Sequence, residues 1–303
     1  MPNITEIKKR MLDKHSGVIA KVKNMKDYAV VEAATIIINE YIKDNPEFTD
    51  FSGMIMEQAE IQGSVMKVKV GDRRGLAHVH APGTEAVQQQ TYNGVVTVPL
   101  DRISWYTKLD VSELKNDFLN NVLRNGADIN KKLAERKLSI IIQTVLTAIT
   151  SSSTLYAAAS TLAKTTFDAL IAKMVDESGG IKAIIGRSST VFDISAFVGA
   201  ALNTLDYVAR EGFLMRYHGG DVLQIGNVQE VIQDGLDHSF RNSIMPTNIV
   251  VLVSNESGYE AQTPTNTVEW YDGKIPAHCL HTYFDYACAV LDDRHLGLYK
   301  ITG

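Results

Sequence analysis

The sequence predicts an α+β chain, and three observations carry that expectation. Alternating strand patterns occupy residues 64–70 and 102–111, one very long helical pattern runs from about 117 to 149, and short apolar strands mix with helices from 164 onward. The chain has 303 residues, 45% of them apolar, so one large or two medium domains can each bury a core. Two cysteines, Cys279 and Cys288, are too few to frame a disulfide scaffold of this size. No apolar run follows the N-terminal Lys8-Lys9-Arg10, so no signal peptide is expected.

Each element follows from its residues. The first 25 positions are expected to be weakly ordered. From Asp27 to Tyr41, Val30, Val31, Ala34, Ile37, Ile38 and Tyr41 recur at helical spacing, and Asn45-Pro46 stops the helix. In 64–70, Met66, Val68 and Val70 share one strand face, while Lys67 and Lys69 take the wet one. A Gly- and Arg-rich stretch with Arg73 and Arg74 follows, then a Gln-rich run and a strand at Val95–Val98. The span from about 53 to 98 reads as a long hairpin-like excursion with few large apolar residues. Isolated ribbons are marginal in water, so it must lean on something else. The next strand puts Ile103, Trp105, Thr107, Leu109 and Val111 on one face and Arg102, Ser104, Tyr106, Lys108 and Asp110 on the other.

Ser112 is the expected helix start, with a restart near Asp117 and a rod to about Ile149. Its stripe is Leu119, Val122, Ile129, Leu133 and Ile140, and Gly126 is a candidate kink. Residues 138–163 carry no charge, but 11 of these 26 are Ser, Thr or Gln, too polar for a membrane span. Beyond lie a helix over 164–177 stopped by Gly179-Gly180, a strand at 181–185 and a second helix over about 190–205. Strands are expected at 222–225, 228–232, 249–253, 280–290 and 296–301. No fixed-period repeat is present.

Charge is uneven. Residues 1–26 hold seven basic residues (Lys8, Lys9, Arg10, Lys14, Lys21, Lys23 and Lys26) and two acids, a net of +5, against −10 for the rest. A basic arm on an acidic body suits nucleic acid or an acidic partner, although a solvated helical face has the same composition. Signatures of chemistry are missing. There is no phosphate loop, no dinucleotide fingerprint and no Gly-x-Ser-x-Gly. His278-Cys279-x-His281, with His78-x-His80 elsewhere, is the nearest metal-like cluster. On a strand, His278 and Cys279 point to opposite faces, so one ion would not easily take both. Asp292-Asp293-x-His295 imitates a carboxylate–histidine pair near a turn. No cofactor and no metal are expected.

The order of basic arm, core-poor hairpin, single long helix, compact α+β unit and tail strands resembles the major capsid proteins of tailed bacteriophages, the Hong-Kong-97-like capsid fold. Val111-Ser112-Glu113-Leu114 with Asp117, at the entry to the long helix, is the most specific local match. Leu162–Lys173 followed by Ile181–Ile185, and Gly212–Ile232 through Val222-Leu223-Gln224-Ile225-Gly226, add two more. The resemblance implies an N-terminal arm at 1–48, an E-loop at 49–101 and a peripheral domain with spine helix at 102–162. It implies an axial domain at 163–274 and strands returning to the peripheral domain at 275–303. It also implies a non-enzymatic subunit that assembles as pentamers and hexamers into an icosahedral head around double-stranded DNA, held by non-specific contact. Assembly would take place in the host cytoplasm, with scaffolding, portal and decoration proteins as further partners and no membrane. Hinges are expected at the arm and at the base of the E-loop. Lys67, Val68, Lys69, Val70, Arg73 and Arg74 are then expected at intersubunit contacts, with the Met66/Val68/Val70 face on the next subunit's spine. An encapsulin-like compartment shell is the alternative within the same fold. A metal- or thiol-dependent enzyme using the His278–His281 region is the alternative of another class.

Overall fold

The protein's structure, a computed structural model, describes residues 4–44, 52–71, 93–187, 189–191, 194, 197, 215–218, 220–225, 229–233, 239–272, 277–290 and 292–303. The chain opens with helices α1 (Ile4–Ile19), α2 (Asp27–Asp44) and α3 (Ser52–Ile55). Strands β1 (Glu57–Gln58), β2 (Glu60–Gln62), β3 (Val65–Gly71), β4 (Asn93–Pro99) and β5 (Asp101–Leu109) follow. Next come α4 (Val111–Asn116), α5 (Phe118–Ala148), β6 (Tyr156–Ala159), α6 (Lys164–Ser178) and β7 (Ala183–Arg187). The remainder is strand: β8 (Met215–Tyr217), β9 (Gly220–Ile225), β10 (Gln229–Gln233), β11 (Ser239–Ser243), β12 (Ile249–Val253), β13 (Tyr259–Gln262), β14 (Asn266–Asp272), β15 (Ala277–Ala289) and β16 (Leu296–Ile301).

The N-terminal segment differs from its expectation. Residues 4–19 form a helix because Ile7 and Met11, four apart, share a face and bury against the core, with Val22 just beyond. The long helix restarts at Asp117 as expected, but the cap of the turn before it is Asp110 rather than Ser112. The Asp110 carboxylate accepts from the backbone N–H groups of Ser112 at 2.8 Å and Glu113 at 3.3 Å. These bonds, with one from the Ser112 hydroxyl, hold its carboxyl below the usual range. Gly126 does not interrupt α5. It lies at the contact with α2, where an added Cβ would stand 2.9 Å from Tyr41 Cδ1.

Two sheets organise the rest. In the first, β15 is central. β5 runs along one side, from His278↔Leu109 to Tyr286↔Asp101. β14 and β13 lie in tandem along the other, and β1 adds in parallel to β13. Leu280, Phe284 and Tyr286 are buried and belong to one core with Val122, Ile129, Leu133 and Ile141 of α5. The second sheet has the order β6-β16-β12-β7-β9-β8. Its β12 reads as an unbroken apolar run because both faces are covered. Val251 and Val253 point into the core shared with α5, whereas Val250 and Leu252 pack with Phe167 and Met174 of α6. The tail expected as one set of return strands divides between the sheets, β15 in the first and β16 in the second. α6 ends at Gly179, whose left-handed φ of 78° suits glycine. Val191 and Ile194 are buried in the second core, while most of the helix expected over 190–205 lies outside the described residues.

Candidate functional site

The excursion between α2 and β5 is a three-stranded ribbon, β2-β3-β4, paired from Glu60↔Lys67 through Gly71↔Asn93. Its apolar face is used within the chain. Met66 and Val68 are buried with Ala261 of β13 and Ala287 of β15, flanked by Ile61, Val98 and Leu100. That corrects the expectation that this face is open to the next subunit's long helix: small alanines on the sheet leave room for Met66 and Val68 of the same chain. Lys67 stands on the other face, where its ammonium donates to Gln62 Oε1. The side chains of Lys69 and Val70, and the whole of Arg73, Arg74, His78 and His80, lie outside the described residues.

The expected hinge at the ribbon's base is instead a tied joint. Ser257 Oγ donates to Ile55 O at 2.5 Å, and Glu256 N donates to Glu57 Oε1 at 3.1 Å. Gln58 Nε2 donates to Glu260 Oε1 at 2.6 Å. Gly258 permits the close approach of Met56, whose Sδ would clash with a Cβ at this position.

The basic arm is a helical face docked on α2. Arg10 pairs with Asp44 at 3.4 Å, and Lys14 and His15 both reach Glu40, His15 Nε2 at 2.8 Å. Asp44 ends α2, where a carboxylate opposes the helix dipole, so the cation beside it is favourable. Lys8, Lys9, Lys21, Lys23 and Lys26 are exposed and make no ion pair among the described residues.

Two further surfaces were not read from the sequence. The outer side of α5 carries an open groove of about 400 Å³ lined by Ile140, Gln143, Thr144, Thr147, Ala148 and Val290. Ile140, expected on the buried stripe, is half-buried at this groove. The second surface is the open face of the first sheet. Tyr106 stacks on His281 with ring centroids 4.2 Å apart, meets Trp270 edge-on at 5.5 Å, and is 55% exposed. Arg102 lies over the Tyr283 ring at 4.3 Å and pairs with Asp285 at 2.8 Å. Aromatic patches with a paired arginine are typical of the centres of protein interfaces. The sequence pattern showed Tyr106 and Arg102 on one strand face, but not that Trp270, His281 and Tyr283 join them.

The residues singled out for chemistry are spread apart in role. His278 Nδ1 lies 3.1 Å from Glu269 Oε1, Cys279 is buried on the opposite strand face, and His281 is part of the aromatic stack. His295 Nδ1 lies 3.0 Å from Ser254 Oγ, while Asp292 caps the turn ahead of it. No group of three or more His, Cys, Asp or Glu is placed to hold a metal among the described residues. No helix among them is long and apolar enough to cross a membrane.

No protein-family model and no curated protein matches the chain. Solved structures do. The capsid of a native GTA particle superposes with TM-score 0.55 at 15% identity, over 85% of this chain and 91% of that one. The capsid of cyanophage P-SCSP1u gives 0.53 at 11% identity, over 84% and 88%. The holo-SrpI encapsulin complex from Synechococcus elongatus gives 0.53 at 10% identity, over 86% and 90%. The chain therefore has the Hong-Kong-97-like capsid fold that its sequence resembled.

Proposed function

We propose that this chain is the major capsid protein of a tailed bacteriophage, the shell-forming subunit of an icosahedral head that encloses double-stranded DNA. The supporting observation is the fold, matched along most of both chains to phage and particle capsids. The subunit works by self-assembly and not by catalysis. In this reading residues 1–48 are an arm, 49–101 an E-loop, 102–162 a peripheral domain, 163–274 an axial domain and 275–303 return strands. Copies meet as pentamers and hexamers. The ribbon beyond its tied root, with Lys67, Lys69, Val70, Arg73 and Arg74, laps onto a neighbour. The groove along α5 and the aromatic face around Tyr106 are the receiving surfaces. Many modest contacts of this kind add up by multivalency. Lys8, Lys9, Lys21, Lys23 and Lys26 face DNA or an acidic neighbour, with Arg10 and Lys14 divided between that role and α2. Scaffolding, portal and decoration proteins would be further partners, and the chain would reside in the virion after assembly in the host cytoplasm.

An encapsulin-type shell is the second reading, favoured by the likeness to the Synechococcus elongatus complex. One experiment separates them. The chain is expressed with its neighbouring genes, particles are examined by negative-stain microscopy, and their contents are analysed. Shells holding DNA support the phage reading, shells holding a folded enzyme support the encapsulin reading, and a uniform monomer at high concentration overturns both.

A further inference from the structure

Glu260 is fully buried, and it sits where four elements meet. From β13 its Oε1 accepts from Gln58 Nε2 of β1 at 2.6 Å, and its Oε2 accepts from the Tyr286 hydroxyl of β15 at 2.9 Å. The ammonium of Lys137, on α5 with a side chain 6% exposed, lies 3.4 Å from the same Oε2 and 5.5 Å from the Tyr286 ring centroid. Burial, and then the Glu260 charge, push the Tyr286 hydroxyl far up, so it remains a donor. Leaving any member of such a buried set unpaired is costly, so the group holds together or not at all.

The surroundings give this cluster a task. On the sheet side of this contact the apolar residues are Ala261, Ala287 and Ala289 beside Tyr259, and Ala59 lies between β1 and β2. Small side chains tolerate sliding of one strand past another, whereas a carboxylate bonded from three sides does not. The other ties between 55–59 and this strand stop at β13 or just before it: Ile55 to Ser257, the Glu57 side chain to Glu256, and the backbone bonds from Glu57 N to Gly258 O and from Ala59 N to Glu260 O. The Glu260 cluster alone among these bonds continues to β15 and the long helix.

We propose that the Gln58–Glu260–Tyr286–Lys137 cluster is a positioning brace that fixes the direction in which the ribbon leaves the long helix. This rests on the shell reading for its consequence, since ribbon direction sets where a neighbour is met. Buried ionic groups of this kind are best attested as devices that fix register and contribute little net stability.

The test uses the full-length chain and two variants. Gln58→Ala removes only the link to β1. Lys137→Met/Glu260→Met/Tyr286→Phe replaces the charges with groups of similar bulk. Amide hydrogen exchange over 57–62 and 259–262 should rise at least tenfold in both, with little change over the middle of α5. Particles from either variant should spread in diameter. Unchanged exchange at 57–62 in Gln58→Ala overturns the brace, as does a triple variant that only loses thermal stability while its particles stay uniform. If the unmodified chain builds no particles, the shell reading falls, and the exchange measurement still decides the brace.

Discussion

Gly126 and Tyr41 set the distance between the two longest helices: a Cβ on the glycine would lie 2.9 Å from Tyr41 Cδ1 and 3.3 Å from its Cγ. Tyr41 Cβ is also close, at 3.6 Å, so a ring flip does not relieve the contact and only a change of χ1 rotamer would. We expect Gly126→Val to overpack this contact and to lower subunit stability by about 1–3 kcal/mol. Gly126→Ala should lose less, because alanine regains about 1 kcal/mol of helix propensity. Urea unfolding of both variants checks the order, and a valine variant as stable as the parent would refute it.

Leu133 is 4% exposed on the core side of α5. Truncation there removes methyl groups and leaves a cavity, a loss of about 2–5 kcal/mol in comparable cores. Leu133→Ala should therefore reduce soluble yield and melting temperature before it alters particle geometry. A fully stable variant would mean that the buried stripe carries less of the fold than its burial implies.

Met66 and Lys67, adjacent on β3, should separate folding from assembly. Met66 is fully buried on Ala261 and Ala287 of its own chain, so Met66→Ala should lower the melting temperature of the free subunit. Lys67→Glu, on the outer face, should leave melting unchanged and reduce particle yield. In limited proteolysis, the ribbon should be cut in free subunits and protected in shells, while its tied root at 57–62 resists in both. Equal cleavage in free and assembled protein would count against the ribbon as a clamp between subunits.

The five arm lysines that make no ion pair among the described residues form a salt-dependent contact in our reading. Replacing Lys8, Lys9, Lys21, Lys23 and Lys26 with glutamine should leave melting nearly unchanged, because all five side chains are exposed. It should lower DNA content or particle yield and flatten the dependence of either on ionic strength, since screening acts over about 8–10 Å at moderate salt. Identical DNA content across salt concentrations would remove the arm from genome contact.

His281 gives the aromatic face a pH dependence with a definite sign. Burial, and then the nearby Arg102, hold its imidazole below the usual 6.5, and its buried Nε2 has no hydrogen-bond partner among the described residues. The folded state thus disfavours the proton that the unfolded chain accepts, so stability present above pH 6.5 is lost as the pH falls through the lowered value. Asp110 and Asp285 are held below the usual carboxylate range by hydrogen bonds, from Ser112 and Arg102 respectively, and act only at lower pH. His15 is held down in the same way, by burial and then by Lys14, so melting temperature should decline below about pH 6.5 and His281→Phe, which keeps the stack, should make that decline shallower. A variant that follows the same pH curve would show that the stack is indifferent to the proton.

Much of the fold was legible because periodicity reports which side is buried. The long helix announced itself through Leu119, Val122, Ile129 and Leu133, and β12 through an unbroken Ile249–Val253 run. Other elements hid for physical reasons. Among its described side chains α1 buries Ile7 and Met11 amid dense charge, a stripe too thin to read. β13, Tyr-Glu-Ala-Gln, has no β-branched residue, and its burial is visible only beside Gln58 and Tyr286. β14 alternates, but with Val268 and Trp270 on the exposed side, which inverts the usual sign of the pattern. The Glu260 brace joins residues 58, 137, 260 and 286 and leaves no spacing to find.

Alternate residues of β12 serve different cores, Val251 and Val253 on the α5 side and Val250 and Leu252 on the α6 side. A strand of five residues is therefore a common wall between two interiors. Opening either one exposes the back of the wall to water and weakens the other, so the two should melt as one cooperative body. Under load such a body moves as a single solid and has no internal hinge line to flex along β12. In the proposed shell, differences in curvature from one position to another would then be taken up at the contacts between subunits and in the ribbon beyond its tied root.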